Sequence, residues 1–438
     1  MKIEDYLINN MIETLRRQLK SNLVIVINAG SLFSTQIVTS GLGYIYWWLA
    51  AQIYQPEIVG LSSAAISAMM LLGNIGKVGL DTMLVGELPR NHQSRGTMIT
   101  TALLVTGVIG IVLGILFAYG TPFISPELNP LAHNISNSLL FAIGVGLTSI
   151  TLVVDQALIG LLRGQMQLQR NFIFSISKLL FLFVAGMLLA GDFNLMIYAT
   201  WVVGNLLSLG YIVLSSFSQL VNKRIPITPQ FKLLRELRGL TLKHYVLNLA
   251  IQVPGYTLPL LVAALINVEK TGSFYIAWMI ASFLFALSYA FTRVLFAIGS
   301  GQQYLLTEKI QFTLKLSFII CTLGAAVLLI GANPIMGIFG STYAEQASTT
   351  LRILAISIFP IIIKTHYVAV SQIFGRMIKA AKIIAVGSIL ELGLAAIGAH
   401  LGGLPGLSLG WVIAVYIEGL MTIAPVYRIA ISDELSQA

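Results

Sequence analysis

Twelve apolar runs separated by short polar gaps dominate this chain, and they leave few ways for it to fold. They cover 23–53, 57–77, 97–119, 137–162, 171–190, 195–219, 240–266, 273–298, 311–331, 350–374, 381–400 and 405–427. A helix needs roughly 20 such residues to cross a bilayer. Inside lipid the backbone must satisfy its own hydrogen bonds, so each run is read as a helix. Composition agrees: 57% of residues are hydrophobic and 10% are charged, against about 25% charged in soluble domains. The expected class is all-α: a polytopic membrane protein of about twelve transmembrane helices in two pseudo-symmetric six-helix bundles.

The basic residues set the orientation. If residue 1 lies in the cytoplasm, the inside gaps carry Arg16, Arg17, Lys20, Arg95, Arg163, Arg170, Lys232, Arg235, Arg376 and Lys379, among others. The outside gaps carry only Lys270 and Arg352, beside Glu57, Glu127, Asp192, Glu269 and Glu345. By the positive-inside rule both termini are expected in the cytoplasm, in the cell (cytoplasmic or inner) membrane. The net charge of +9 is then a topology signal and not a nucleic-acid footprint, since no recognition module accompanies it.

The runs repeat. Glu57-x-x-Gly60 opens the second run and Glu269-x-x-Gly272 the eighth, 212 residues apart. Gly164 and Gly375 follow the fourth and tenth runs at an offset of 211, and Trp201-Val202-Val203 matches Trp411-Val412-Ile413 at 210. Six runs per half keep both halves in one orientation, related by an axis along the membrane normal. The expected organisation is an interfacial helix at 1–22, bundles at 23–219 and 239–428, a cytoplasmic linker at 220–238 and a tail at 429–438. Within the linker, 231–238 reads as a short basic amphipathic helix.

Candidate site residues follow from the expense of polar groups in lipid. Lys364 and Asp155 are expected to line a cavity. Arg293 and Lys77, on repeat-related helices, would flank its inner entrance. The amides of Asn28, Gln36, Asn248 and Gln252 suit sugar hydroxyls. Asp155, Glu391, Glu418 and His366 are candidates for ion coupling. An interhelical pair such as Lys364 with Glu391 is the structural alternative, as is snorkelling to headgroups for Lys77, Arg293 and Lys178. Pro254 and Gly255 in the seventh run, and Gly41 and Gly43 at the matching place in the first, are expected to break their helices. Trp47, Trp48 and Tyr54 read as an interface belt.

Several classes are excluded. There is no P-loop, no G-x-S-x-G and no H-E-x-x-H. One cysteine, Cys321, and five scattered histidines offer no disulfide and no metal-ligand spacing, so neither metal nor cofactor is expected. No gap is large enough for a soluble catalytic domain, and no enzyme activity is expected.

The stretch Asn28-Ala29-Gly30 through Trp47-Trp48-Leu49-Ala50-Ala51, then Tyr54-Gln55-Pro56-Glu57-Ile58-Val59-Gly60 and the small-residue run Leu61-Ser62-Ser63-Ala64-Ala65-Ile66, resembles the start of polysaccharide-biosynthesis membrane proteins. These are O-antigen or oligosaccharide flippases of the multidrug/oligosaccharidyl-lipid/polysaccharide exporter superfamily. The resemblance implies flipping of a polyprenyl-pyrophosphate-linked oligosaccharide by alternating access, for export of a surface polysaccharide. Glycan polymerases and glycosyltransferases would be its neighbours, and nucleic acid would not be a partner. It transfers no site residue, because the family has no catalytic signature. Alternatives are a cation-coupled multidrug or metabolite antiporter of the same superfamily, and a non-transporting scaffold or membrane enzyme of glycan assembly.

Overall fold

The computed structural model describes residues 39–89, 94–161, 163–188, 195–223, 228–299 and 306–431. Among them, nine helices are long and apolar enough to cross a membrane, and a pair bent by 46° forms a tenth span. One of the nine, Met377–Ile431, is two helices merged across Gly402 and Gly403, where the backbone leaves helical geometry. With the helical residues 39–53, the described part of the first apolar run, the long helices number twelve among the described residues.

The spans are α1 (39–53), α2 (Pro56–Gly76), α3 (Arg95–Ile124), α4 (Ile135–Gly160), α5 (Gly164–Leu188) and α6 (Met196–Lys223) in the first half. The second half holds α7 (Phe231–Leu265), α8 (Val268–Gly299), α9 (Leu306–Gly337), α10 (Ser341–Ile356 with Ile358–Ile373), α11 (377–401) and α12 (404–431). A short helix, Leu80–Glu87, follows α2, and a 3-10 turn, Pro126–Leu131, follows α3. The expected interfacial helix at 1–22 lies outside the described residues.

Helix ends differ from the sequence expectation where local chemistry is subtle. Residues 231–238 are not a separate helix but the opening turns of α7. The fifth span begins at Gly164, seven residues before the expected 171, because Gln165, Gln167, Gln169 and Arg170 are polar yet good helix formers.

The expected breaks at Gly41, Gly43, Pro254 and Gly255 are absent: 39–53 is helical, and α7 runs unbroken through Pro254 and Pro259. A proline frees the carbonyl four residues before it, and within a bundle a neighbour can satisfy that group without a break. The bend falls in α10 instead, at Ser357 just ahead of Pro360. There the freed Ile356 carbonyl accepts from the Tyr416 hydroxyl at 3.2 Å.

The two halves meet through α2, which packs on α7 and α8. Their closest approach joins the two Glu-x-x-Gly repeats. A Cβ on Gly60 would collide with the Val268 carbonyl oxygen, and one on Gly272 would stand 3.2 Å from the Gly60 nitrogen. Small residues permit such backbone-on-backbone crossings in membranes, where dispersion drives helix association.

At this acidic end the halves are also bonded. Ser125 Oγ donates to the Ala263 carbonyl at 3.3 Å, Gln52 Nε2 donates to the Phe339 carbonyl at 3.2 Å, and the Val268 N–H donates to the Glu127 carboxylate. At the opposite, basic end Tyr245 OH donates to the Ile75 carbonyl at 2.8 Å. Between these ties lies a cavity.

Candidate functional site

The cavity has a volume of about 890 Å³ and is bounded by both halves. It reaches from mid-bundle toward the basic end, where Arg293, Phe296 and Gln372 line it. Toward the acidic end it is floored by aromatic contacts between halves, with Trp47 of α1 packed on Tyr275 of α8 at a ring separation of 4.6 Å. Trp47 and Tyr54 are therefore buried and belong to the core instead of the expected interface belt. Trp48 is 42% exposed.

The second-half wall holds a charge cluster. Lys364 Nζ lies 2.8 Å from Glu391 Oε1 and 2.7 Å from Glu418 Oε2. Trp411 Nε1 donates to the other Glu391 oxygen at 2.6 Å. All three charged side chains are buried, and Lys364 and Glu391 face the cavity. A buried ammonium shared by two carboxylates is already neutralised, so Lys364 is not available as a free cation for a ligand. Lys364 thus both borders the cavity and is ion-paired.

The first-half wall presents the opposite charge on the repeat-related helices. Lys178 of α5 points at the indole of Trp201 on α6, with Nζ 3.9 Å from the ring centroid. Tyr46 and Phe174 complete the enclosure, each with its centroid 4.8 Å away. Lys178 and Trp201 both line the cavity. The sequence placed Lys178 near an inner helix end and missed this position. It is the fifteenth of the 25 residues of α5, roughly 21 Å along at 1.5 Å per residue.

With the geometry in place, comparison with known proteins is decisive at the family level. A family model described as "Polysaccharide biosynthesis protein" matches residues 25–296. The chain belongs to this family. No curated protein matches it.

Solved structures similar to this polysaccharide biosynthesis family member are transporters. One is an inward-facing multidrug resistance MATE family transporter of the MOP superfamily, with TM-score 0.70, 15% identity, and 91% of this chain and 95% of that one covered. A MOP superfamily transporter from Pyrococcus furiosus Vc1 (DSM3638), for which a reversed polarity of the binding pocket is described, gives TM-score 0.66, 12% identity, and coverage of 94% and 96%. An outward-facing MATE structure gives TM-score 0.63, 14% identity, and the same coverage of 94% and 96%. At these identities the likeness establishes the fold alone, a multi-pass helical membrane fold.

The other expected site residues distribute unevenly in this family member. Arg293, Asn248 and Gln252 line the cavity, as do Gly43, Pro254 and Gly255. Lys77 does not; it faces a crevice next to Asn248 and Gln252 and is held 3.0 Å from Asp81, four residues on in the short helix after α2.

Asp155 is also outside the cavity lining. Arg170 grips it with two bonds, Nε to Oδ1 at 2.7 Å and Nη2 to Oδ2 at 2.6 Å, a bidentate pair that ties α4 to α5. Arg170 follows the expected end of the fourth run, where it reads as a loop residue, which left Asp155 without a partner.

His366 is buried against α9, its Nδ1 2.8 Å from the Ile362 carbonyl and its Nε2 3.2 Å from Thr313 Oγ1. Glu418 sits behind Lys364, away from the cavity lining. Asn28 and Gln36 lie outside the described residues, and among those described no cluster of metal-ligating side chains occurs.

Proposed function

We propose that this protein carries a polyprenyl-pyrophosphate-linked oligosaccharide across the cytoplasmic membrane by alternating access, for export of a surface polysaccharide. The observation that supports this best is the cavity between the halves. It combines aromatic faces, neutral amides and the cations Arg293 and Lys178 in one chamber. Amides and aromatic rings suit a glycan, and guanidinium and ammonium groups suit phosphate. The polyprenyl chain would remain in lipid, since each of its methylene-sized units gains from staying out of water.

In this reading the basic end is cytoplasmic, as are both termini, and the glycine crossing at Gly60 and Gly272 is the outer closure. The cavity then faces the side on which such a lipid-linked glycan is assembled. Rocking of one half against the other would open the far side. Glycosyltransferases and a glycan polymerase are the partners this role implies, before and after the flip. The protein performs no covalent step of its own.

An antiporter of cations and small organic molecules is the second reading, favoured by Glu391 in the cavity wall and Glu418 behind Lys364. Against it stands Lys364, which already occupies the position between the carboxylates that a coupling cation would need. Arg293→Gln distinguishes the readings: at matched protein levels, lost glycan export supports the flippase. Normal export together with altered sensitivity to a panel of cationic drugs supports the antiporter.

A further inference from the structure

Residues 212 apart meet where the two halves close on each other at the acidic end: a Cβ on Gly272 would stand 3.2 Å from the Gly60 nitrogen. Followed to the basic end, the same offset pairs Asp81, of the short helix after α2, with Arg293 of α8. These repeat-related residues carry opposite charges. Asp81 is buried and holds Lys77, its carboxylate 3.0 Å from Nζ. Arg293 is exposed in the cavity wall, and no carboxylate among the described residues pairs with it.

The two repeats part company just before this pair. α8 is helical through Ser288, the equivalent of the last residue of α2, and on to Gly299. α2 stops at Gly76, and Val78 and Gly79 follow with φ of 42° and 80°. Val78 is the one non-glycine residue among those described with a positive φ. A β-branched residue is strained there, and such a conformation persists only where its surroundings impose it. Two contacts hold this elbow. Tyr245 of α7 donates to the Ile75 carbonyl at 2.8 Å, and the Lys77–Asp81 pair spans the bend. Asn248 and Gln252 line both the crevice around that pair and the cavity, so they alone separate Asp81 from the chamber that Arg293 lines.

We propose that Asp81 is the movable member of a gate at the basic end: as that end closes, its carboxylate leaves Lys77 for Arg293 and ties the two halves together. Relief of the Val78 backbone favours the exchange. One ion pair replaces another, so the carboxylate is not stranded in the process. The proposal rests on alternating access as read above and not on the identity of the cargo.

The test uses Ser282→Cys on the cavity wall, in a Cys321→Ser background, labelled by an impermeant maleimide from the basic side of membrane vesicles. Lys77→Gln frees Asp81 for Arg293, so labelling should slow by about threefold, the size of a partly exposed ion pair. In an Arg293→Gln background the same Lys77→Gln change should have no effect. Asp81→Asn should act in the opposite direction and speed labelling. The elution profile of each variant must match wild type.

A purely local role for the Lys77–Asp81 pair would move both single variants in one direction and would not depend on Arg293. Either of those results overturns the gate, as does labelling that no variant alters. If Asp81→Asn folds poorly, Lys77→Gln with and without Arg293 still decides. Glycan export is measured separately, so failure of the cargo assignment leaves the labelling result standing.

Discussion

The hydroxyl of Ser388 on α11 stands 2.6 Å from the carbonyl oxygen of Ala250 on α7, and Ala250 is the residue whose helical donor Pro254 removes. The bond lets a proline sit mid-membrane in an unbroken helix. The same solution recurs at Pro122, where Thr121 Oγ1 donates to the freed Ala118 carbonyl at 2.7 Å. Ser388→Ala is therefore expected to lower stability by about 1 kcal/mol. Pro254→Ala restores the backbone donor, so in that background Ser388→Ala should be nearly neutral. A double-mutant cycle on detergent-phase unfolding reads the coupling; additive losses would show that the Ser388 bond does not answer the proline.

Asp155 and Arg170 are predicted to be structural. Removing one member of a buried bidentate pair strands the other, at a cost of about 3–5 kcal/mol. Asp155→Ala should thus reduce folded protein, whereas the neutral pair Asp155→Asn with Arg170→Gln should recover much of it. Export per folded molecule should be unchanged in the double variant. A selective loss of transport at normal protein levels would return Asp155 to the coupling machinery.

Lys364→Gln leaves two buried carboxylates without their cation and is expected to fold poorly, losing roughly 3–5 kcal/mol. Adding Glu418→Gln removes one of the stranded charges and should restore expression toward wild type, measured by fluorescence-detected size exclusion. If Lys364→Gln alone expresses and elutes normally, the charge cluster does not contribute to stability as described.

The glycine crossing is predicted to hold the acidic end closed. Gly60→Leu or Gly272→Leu should wedge the halves apart and expose the cavity from that end. Cys321 is the sole cysteine, so a Cys321→Ser background with Ser282→Cys on the cavity wall gives a clean reporter. Labelling by an impermeant maleimide from the acidic side should rise in either leucine variant. Unchanged labelling in a folded variant would mean that the seal lies elsewhere.

Much of the fold was legible in the sequence because bilayer thickness fixes helix length and the backbone must bond to itself. Twelve runs were expected, and each has its helix. The Glu-x-x-Gly repeat, found only by its spacing, lies at a backbone-on-backbone crossing of the two halves. The site was less legible for physical reasons. Charge in an apolar run is visible, but its partner is not: Arg170 sat in an apparent loop, and Lys364 showed only one of its two acids as a candidate partner. Prolines advertise a break that Ser388 forestalls. Lys178 was misplaced because the polar first turns of α5 hid where that helix begins.

If the cavity passes a lipid-linked glycan from one leaflet to the other, its cargo is stranded when the protein is removed. Leaflet-resolved analysis of lipid-linked sugars in the cytoplasmic membrane after that removal decides the matter. A complete oligosaccharide-lipid is expected to accumulate on the cytoplasmic side, with a fall in surface polysaccharide. Unchanged intermediates and a normal surface glycan would rule the flippase out.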